Sequence, residues 1–397
     1  MSKFHSSEIV VDTATASNLI SALKGFELPV FTNSNRPGSA VQGQLIFNSD
    51  EDGVQVYNGS GWDDVKSGGA LNTWTTSTRP GSPATATVGF ATDTNQFEFY
   101  TGSTWTSLDT VVNDPLVASG GNSTIDYEGY RYHIFTGNGT FTVSQGSSTI
   151  EYLIVAGGGG GGGGDVGAGG GAGGFRTNAQ GYLSGGNSSP EPVMTISTGS
   201  YAVVVGNGGQ GSNSSPSDAD SGQDSSFNGI VSIGGGGGAS WGSGTGRTGG
   251  SGGGSVSTRT GAAGTAGQGF AGASGRGGPN YPQGGGGGAG GVGQNSRNND
   301  YAGDGGPGLP NPFGEATQIG YRVNKTYWLA GGGGGGVESN ASVGRGGIGG
   351  GGIGGRQSPN TDPGNGQAQT GSGGGGEDSG RGGSGGSGIV ILRYALA

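Results

Sequence analysis

Apolar and polar residues alternate along short stretches of this chain, and turn residues cut the stretches off. Gln44-Leu45-Ile46-Phe47-Asn48, Val54-Gln55-Val56-Tyr57 and the segment opening at Trp62 read as three strands. They are separated by Asp50-Glu51-Asp52-Gly53 and by Asn58-Gly59-Ser60-Gly61. Asp, Asn and Gly tolerate positive φ, and Asn-Gly is a hairpin signal. Further on, 130–135 alternates into the turn 136–139, and 140–143 returns. The strongest strand is 150–156, and others follow at 193–196, 201–205, 230–233, 327–330 and 389–394. A short helix is predicted over 13–26, where Leu19, Ile20 and Leu23 share one side. The expected class is mainly β.

Three of these strands run straight into glycine. Tracts begin at 157, 234 and 331, directly after Ala156, Ile233 and Ala330. Further tracts lie at 284–288, 344–355, 373–376 and 382–388. A flexible linker has no reason to start at the end of a buried strand several times over. Glycine loses more backbone entropy on ordering than any other residue, so ordered tracts need strong compensation. Chains without Cβ atoms approach closely enough to satisfy each other's N–H and C=O groups, with Cα–H···O contacts added. The expected form is the threefold extended helix, which rises about 3.1 Å per residue, so that 157–164 would run for about 25 Å. The prediction is a β-sandwich built from 113–156, 193–233 and 389–397, carrying a bundle of polyglycine-II helices. Slow amide exchange separates it from a disordered linker.

An offset of 43 residues relates 36–65 to 79–108 with ten identities and no gap. Arg36-Pro37-Gly38-Ser39 matches Arg79-Pro80-Gly81-Ser82, Tyr57 matches Tyr100, and Trp62 matches Trp105. Repeats define architecture. The organisation read here is an N-terminal arm (1–32), two β repeats (33–70 and 71–112), and a glycine-rich domain (113–397). The segment 1–32 is either a simple N-terminal arm or an attachment peptide for a larger assembly. Each repeat buries too little to be stable alone, so a homo-oligomer is expected, with a trimer favoured.

Composition narrows the function classes. Of 397 residues 104 are Gly, there is no Cys, and the only His are His5 and His133. Cysteine zinc sites and disulfides are excluded, and nucleophile–His pairs have almost no raw material. Gly does not recur at every third position and Pro numbers only 15, which excludes collagen. The net charge is −10, without the basic surplus that nucleic-acid binding needs. No apolar run has the length of a signal peptide or a bilayer span, so synthesis in the cytosol without membrane insertion is expected. Chance Gly-x-Gly-x-x-Gly matches carry no weight in such a chain. No Lys follows a Gly, which excludes a P-loop. Asp165 and Asp304 lack the period of calcium-binding repeats. Asp50, Glu51 and Asp52 sit in a turn, and His133 lies in an alternating strand, so both read as structural. No catalytic residue, metal or cofactor is expected.

Two resemblances add to this. Asn35-Arg36-Pro37-Gly38-Ser39, Gln42-Gly43-Gln44-Leu45-Ile46-Phe47-Asn48 and Val56-Tyr57-Asn58-Gly59-Ser60-Gly61-Trp62 resemble the N-terminal regions of tailed-bacteriophage fibre and appendage proteins. The second copy departs from that pattern at Ala86 and Ala91. The run 150–164, then 167–175, with the closing Gly388-Ile389-Val390-Ile391-Leu392-Arg393-Tyr394, resembles a glycine-rich domain family of phage tail proteins. In plan it is similar to the adhesins at tail-fibre tips, whose polyglycine helices hold receptor-contacting loops. These resemblances imply a virion structural protein. Its N-terminal region would bind other tail or head proteins, and its loops a host polysaccharide or outer-membrane protein.

The segments between tracts are the candidate sites, since loops on a rigid scaffold carry binding and aromatic and Arg side chains dominate hot spots. The candidates are Trp241, Arg247, Phe270, Tyr281, Tyr301, Phe313 and Tyr321. The alternative for each is capping of the bundle or packing between subunits. Rival readings are a head fibre or capsid decoration protein without a receptor, a bacterial extracellular adhesin or filament, and an ice-binding protein. The last would want a flatter, more regular face.

Overall fold

The computed structural model describes residues 29–396, apart from 41–43, 52, 58, 65–72, 82, 85–86, 95, 101–102, 109–114, 215–216, 340 and 359. The helix expected over 13–26 lies outside the described residues. The chain divides into two compact units, Met1–Val112 and Asn113–Ala397. Both are mainly β.

The first unit holds two four-stranded sheets of one design. Val30–Phe31 pairs in parallel with Leu45–Asn48, followed by antiparallel Gly53–Tyr57 and Trp62–Asp64. Thr73–Trp74, Val88–Ala91, Gln96–Tyr100 and Trp105–Leu108 repeat that order. The equivalence reaches side chains. Tyr57–Trp62 and Tyr100–Trp105 both have ring centroids 5.4 Å apart. Asp50 accepts from the Asn33 amide at 2.8 Å and Asp93 from the Thr76 amide at 3.0 Å. One buried position differs. Gln55 accepts from Asn48 Nδ2 at 2.9 Å, whereas its counterpart Glu98 accepts from Arg79 Nε at 2.8 Å and Trp74 Nε1 at 3.1 Å. The two-residue parallel edge strands were not expected, because so short a segment has no periodicity to read.

In the second unit, Ile389–Ala395 is the centre of a six-stranded sheet. It lies antiparallel between Tyr130–Phe135 and Ser148–Val155. Ser123–Tyr127 and Phe175–Thr177 extend the sheet on either side, and Met194–Ile196 also pairs with Ser148–Val155. A five-stranded sheet packs against it, in the order Ile230–Ser232, Ser225–Phe227, Gly199–Val204, Gly139–Gln145, Val117–Ser119. Tyr152, Ile154, Val390 and Leu392 meet Phe141, Val143, Val203 and Phe227 between the sheets. The opposite face, with Leu153, Val155, Ile389 and Ile391, is covered by Phe175, Phe313 and Leu329. A strand buried on both faces is apolar throughout instead of alternating, which explains Ile389-Val390-Ile391-Leu392. Each such side chain contributes roughly 1.5–3 kcal/mol by burial.

The glycine tracts continue from the strand ends and form the expected bundle. Along 157–162 successive amides donate in three directions. Gly157 and Gly160 donate to Gln223 and Asp220, Gly158 and Gly161 to Gly386 and Gly383, and Gly159 and Gly162 to Gly171 and Ala168, all at 2.8–3.0 Å. The carbonyls accept on the same period of three. Gly157 and Gly160 accept from Gly235 and Gly238, Gly158 and Gly161 from Gly209 and Ser212, and Gly159 and Gly162 from Gly374 and Glu377. This helix is therefore tied to six neighbours. The same pattern surrounds 168–174 and 283–289. The threefold period aims successive N–H and C=O groups at neighbouring segments, so backbone groups buried in the bundle are paired with backbone instead of being left to desolvation.

Glycine is required here by proximity rather than by dihedral. None of the glycines at 157–163 has a left-handed φ. A Cβ on Gly161 would lie 2.0 Å from the Gly375 carbonyl oxygen, and one on Gly286 2.0 Å from that of Gly170.

Candidate binding tip

The tracts at 157–164, 234–238 and 331–336 start at strand ends on the sandwich and run away from it. The remote ends are joined by loops, among them 164–167, 240–246, 256–260, 275–282 and 295–301. These loops are stitched together. The Trp241 amide donates to the Val166 carbonyl at 3.0 Å, and the Val256 amide to that of Gly244 at 3.0 Å. Ser257 N donates to Gln283 Oε1 at 2.8 Å, and Gln283 Nε2 donates to the Tyr281 carbonyl at 2.5 Å. Asn280 Nδ2 donates to the Asn299 carbonyl at 3.2 Å, and the Asn280 carbonyl accepts from the Glu338 amide at 3.0 Å.

The seven sequence candidates do not form one site. Trp241 and Tyr281 meet edge to face at the tip, with ring centroids 5.5 Å apart. Trp241 is 37% exposed and Tyr301, on the neighbouring loop, 48%. Arg247 is exposed on the flank of the same loop, its amide bonded to the Gly237 carbonyl at 2.9 Å. The other three lie elsewhere. The half-buried Phe270 sits near the sandwich, its amide donating to the Gly288 carbonyl at 3.1 Å. Tyr321 is exposed on the hairpin of Tyr321–Val323 and Thr326–Leu329. Phe313 is a correction to the sequence reading. It is 1% exposed, edge-on to Tyr132 at 5.9 Å and 4.9 Å from the Arg393 guanidinium. The second face of the central sheet needed a large apolar cover, and Phe313 supplies it.

The sequence reading missed an acidic pair at the tip. Glu377 and Asp378 end the tract 373–376 and are 4% and 3% exposed. Burial, together with the nearby carboxylates of Glu338, Asp165 and Glu377, pushes the Asp378 carboxyl up to about 7. Burial raises Glu377 as well, with Asp362 adding to the effect. The signal was available, since a Glu-Asp pair closing a glycine run has no solvated helix face to occupy. His133 is buried, with Nδ1 2.7 Å from the Gly120 carbonyl and its ring stacked on Tyr394. Burial lowers its pKa. A depression of about 280 Å³ borders Glu151, Asn178, Gln180 and Arg393, where Arg393 is already bonded to Glu151 at 2.5 Å. Among the described residues no group of three or more His, Asp or Glu side chains is placed to hold a metal ion. No helix among them is long and apolar enough to cross a membrane. The tip carries exposed aromatic and basic side chains on a support of backbone hydrogen bonds.

A family model described as a glycine-rich domain matches residues 134–395. No curated protein matches the chain.

Proposed function

The chain belongs to the glycine-rich domain family, and from that premise we propose that it is a virion structural protein of a tailed phage. It serves as a tail fibre or fibre tip that presents the remote loops to the host surface. The observation that carries this reading is the placement of Trp241, Tyr281 and Tyr301 at the end of the bundle away from the sandwich. A lattice held by backbone bonds on six sides keeps those loops in fixed positions, so little ordering entropy is lost when they bind. The tandem front repeats, with Val30 and Leu45 exposed on their first sheet, support assembly into a homo-oligomer, a trimer in the favoured form. Several copies of one weak site then act together by avidity.

The test is adhesion of the purified full-length chain to a panel of bacterial strains. W241A combined with Y281A is expected to lower adhesion at least tenfold, since truncating a central aromatic anchor costs about 2 kcal/mol or more. Adhesion to no strain would instead favour a decoration protein without a receptor.

A further inference from the structure

Charge is sorted unevenly at the tip. The segment 239–283 contains Arg247, Arg259 and Arg276 and no Asp or Glu, in a chain whose net charge is −10. All three arginines are exposed, and none of them is in an ion pair within the described residues. The segment's three remote loops are bound to one another. The first two are joined by the Val256 amide on the Gly244 carbonyl and the Gly246 amide on Ser255 Oγ. The third joins them through Gln283, which accepts from the Ser257 amide, and through the contact of Tyr281 with Trp241. Arg259 lies over Gly244, where an added Cβ would be 2.3 Å from its Nε. The Arg276 backbone N–H donates to the Pro282 carbonyl at 2.8 Å, which sets this residue next to Tyr281 in the loop. Tyr281 itself has φ 38°, a backbone region that a bulky side chain occupies only when its surroundings impose it.

We infer that this part of the tip binds an anionic glycan, with the Trp241–Tyr281 pair against a sugar ring and Arg259 and Arg276 on its carboxylate or phosphate groups. The inference rests on the host-recognition reading and names the ligand chemistry for it. A sugar ring offers a flat C–H face to an aromatic ring and hydroxyls at its rim. A guanidinium binds carboxylate and phosphate alike through paired N–H donors. Exposed arginines with no ion pair among the described residues favour an anionic partner.

The experiment uses the full-length chain and a strain to which it adheres. The probe is that strain's own extracted surface polysaccharide, added as competitor intact, after carboxyl reduction, or after dephosphorylation. The intact polysaccharide is expected to block adhesion. One of the two treatments should weaken the block about tenfold or more, which identifies carboxylate or phosphate as the anion. R259A with R276A should lower adhesion by a similar factor and flatten its dependence on salt. Folding is monitored by thermal unfolding, which these exposed substitutions should leave unchanged. Adhesion that survives periodate treatment of the cells and is lost to protease would assign a protein receptor and overturn the inference, leaving the host-recognition reading intact. Competition equal before and after both treatments would also overturn it. Adhesion to no strain would overturn the host-recognition reading and this inference with it.

Discussion

The sandwich and the polyglycine bundle are two cores in one domain, built on opposite rules. In the sandwich, Tyr152, Phe141 and Leu392 fill space with side chains. In the bundle nearly all the buried surface is backbone, and space is excluded by letting chains touch through missing Cβ atoms. Deleting atoms should therefore damage the first, and adding atoms the second. Close packing at native density tolerates neither change.

The largest effect is expected in the bundle. In G161V the side chain meets the Gly375 carbonyl, so neighbouring helices must part and their hydrogen bonds open. The expected loss is on the order of 4 kcal/mol or more, from overpacking together with unpaired backbone groups. Chemical denaturation should show it as a collapse of the midpoint. Leu392→Ala in the sandwich should cost about 2–5 kcal/mol by cavity formation. The same measurement on G277A should show a change within about 0.5 kcal/mol. A Cβ there meets nothing within 4 Å, so the contrast between two glycines isolates proximity from composition.

Smaller effects come from pH, and they have opposite signs in the two regions. His133 has a lowered pKa in the folded sandwich because of burial. The unfolded chain therefore binds the proton more readily, and stability falls as pH drops through about 6.5. Asp378, raised to about 7 by burial and neighbouring carboxylates, holds its proton more tightly when folded. Its contribution is present at acid pH and is lost as pH rises through about 7. His133→Gln should flatten the acid limb of the stability profile, and Asp378→Asn the neutral-to-alkaline limb. If both substitutions changed the same limb, the assignment of the groups to separate regions would be wrong.

The sequence made the sandwich legible wherever a strand was long or buried on both faces, as at 130–135, 150–156 and 389–394. It did not reveal Phe175–Thr177 or Ser225–Phe227, three-residue strands rich in polar residues and fixed by their partners. The punctuation of strands by glycine pointed to ordered tracts. The pairing of 157–162 with segments more than two hundred residues away carries no sequence signal, because one glycine tract reads like another. Trp241, Tyr281 and Tyr301 were legible as loop aromatics. Phe313 was misplaced because a lone aromatic between Pro312 and Gly314 looks the same whether it covers a sheet or meets solvent.

The central claim is that backbone hydrogen bonding orders the tracts as firmly as side chains order the sandwich. Residue-resolved amide hydrogen exchange tests it most directly. The amides of Gly158 to Gly162, bonded in turn to three neighbouring segments, should be protected as strongly as those of Ile389–Ala395. Exchange of those glycines at the rate of an open chain, with the strand still protected, would contradict the account.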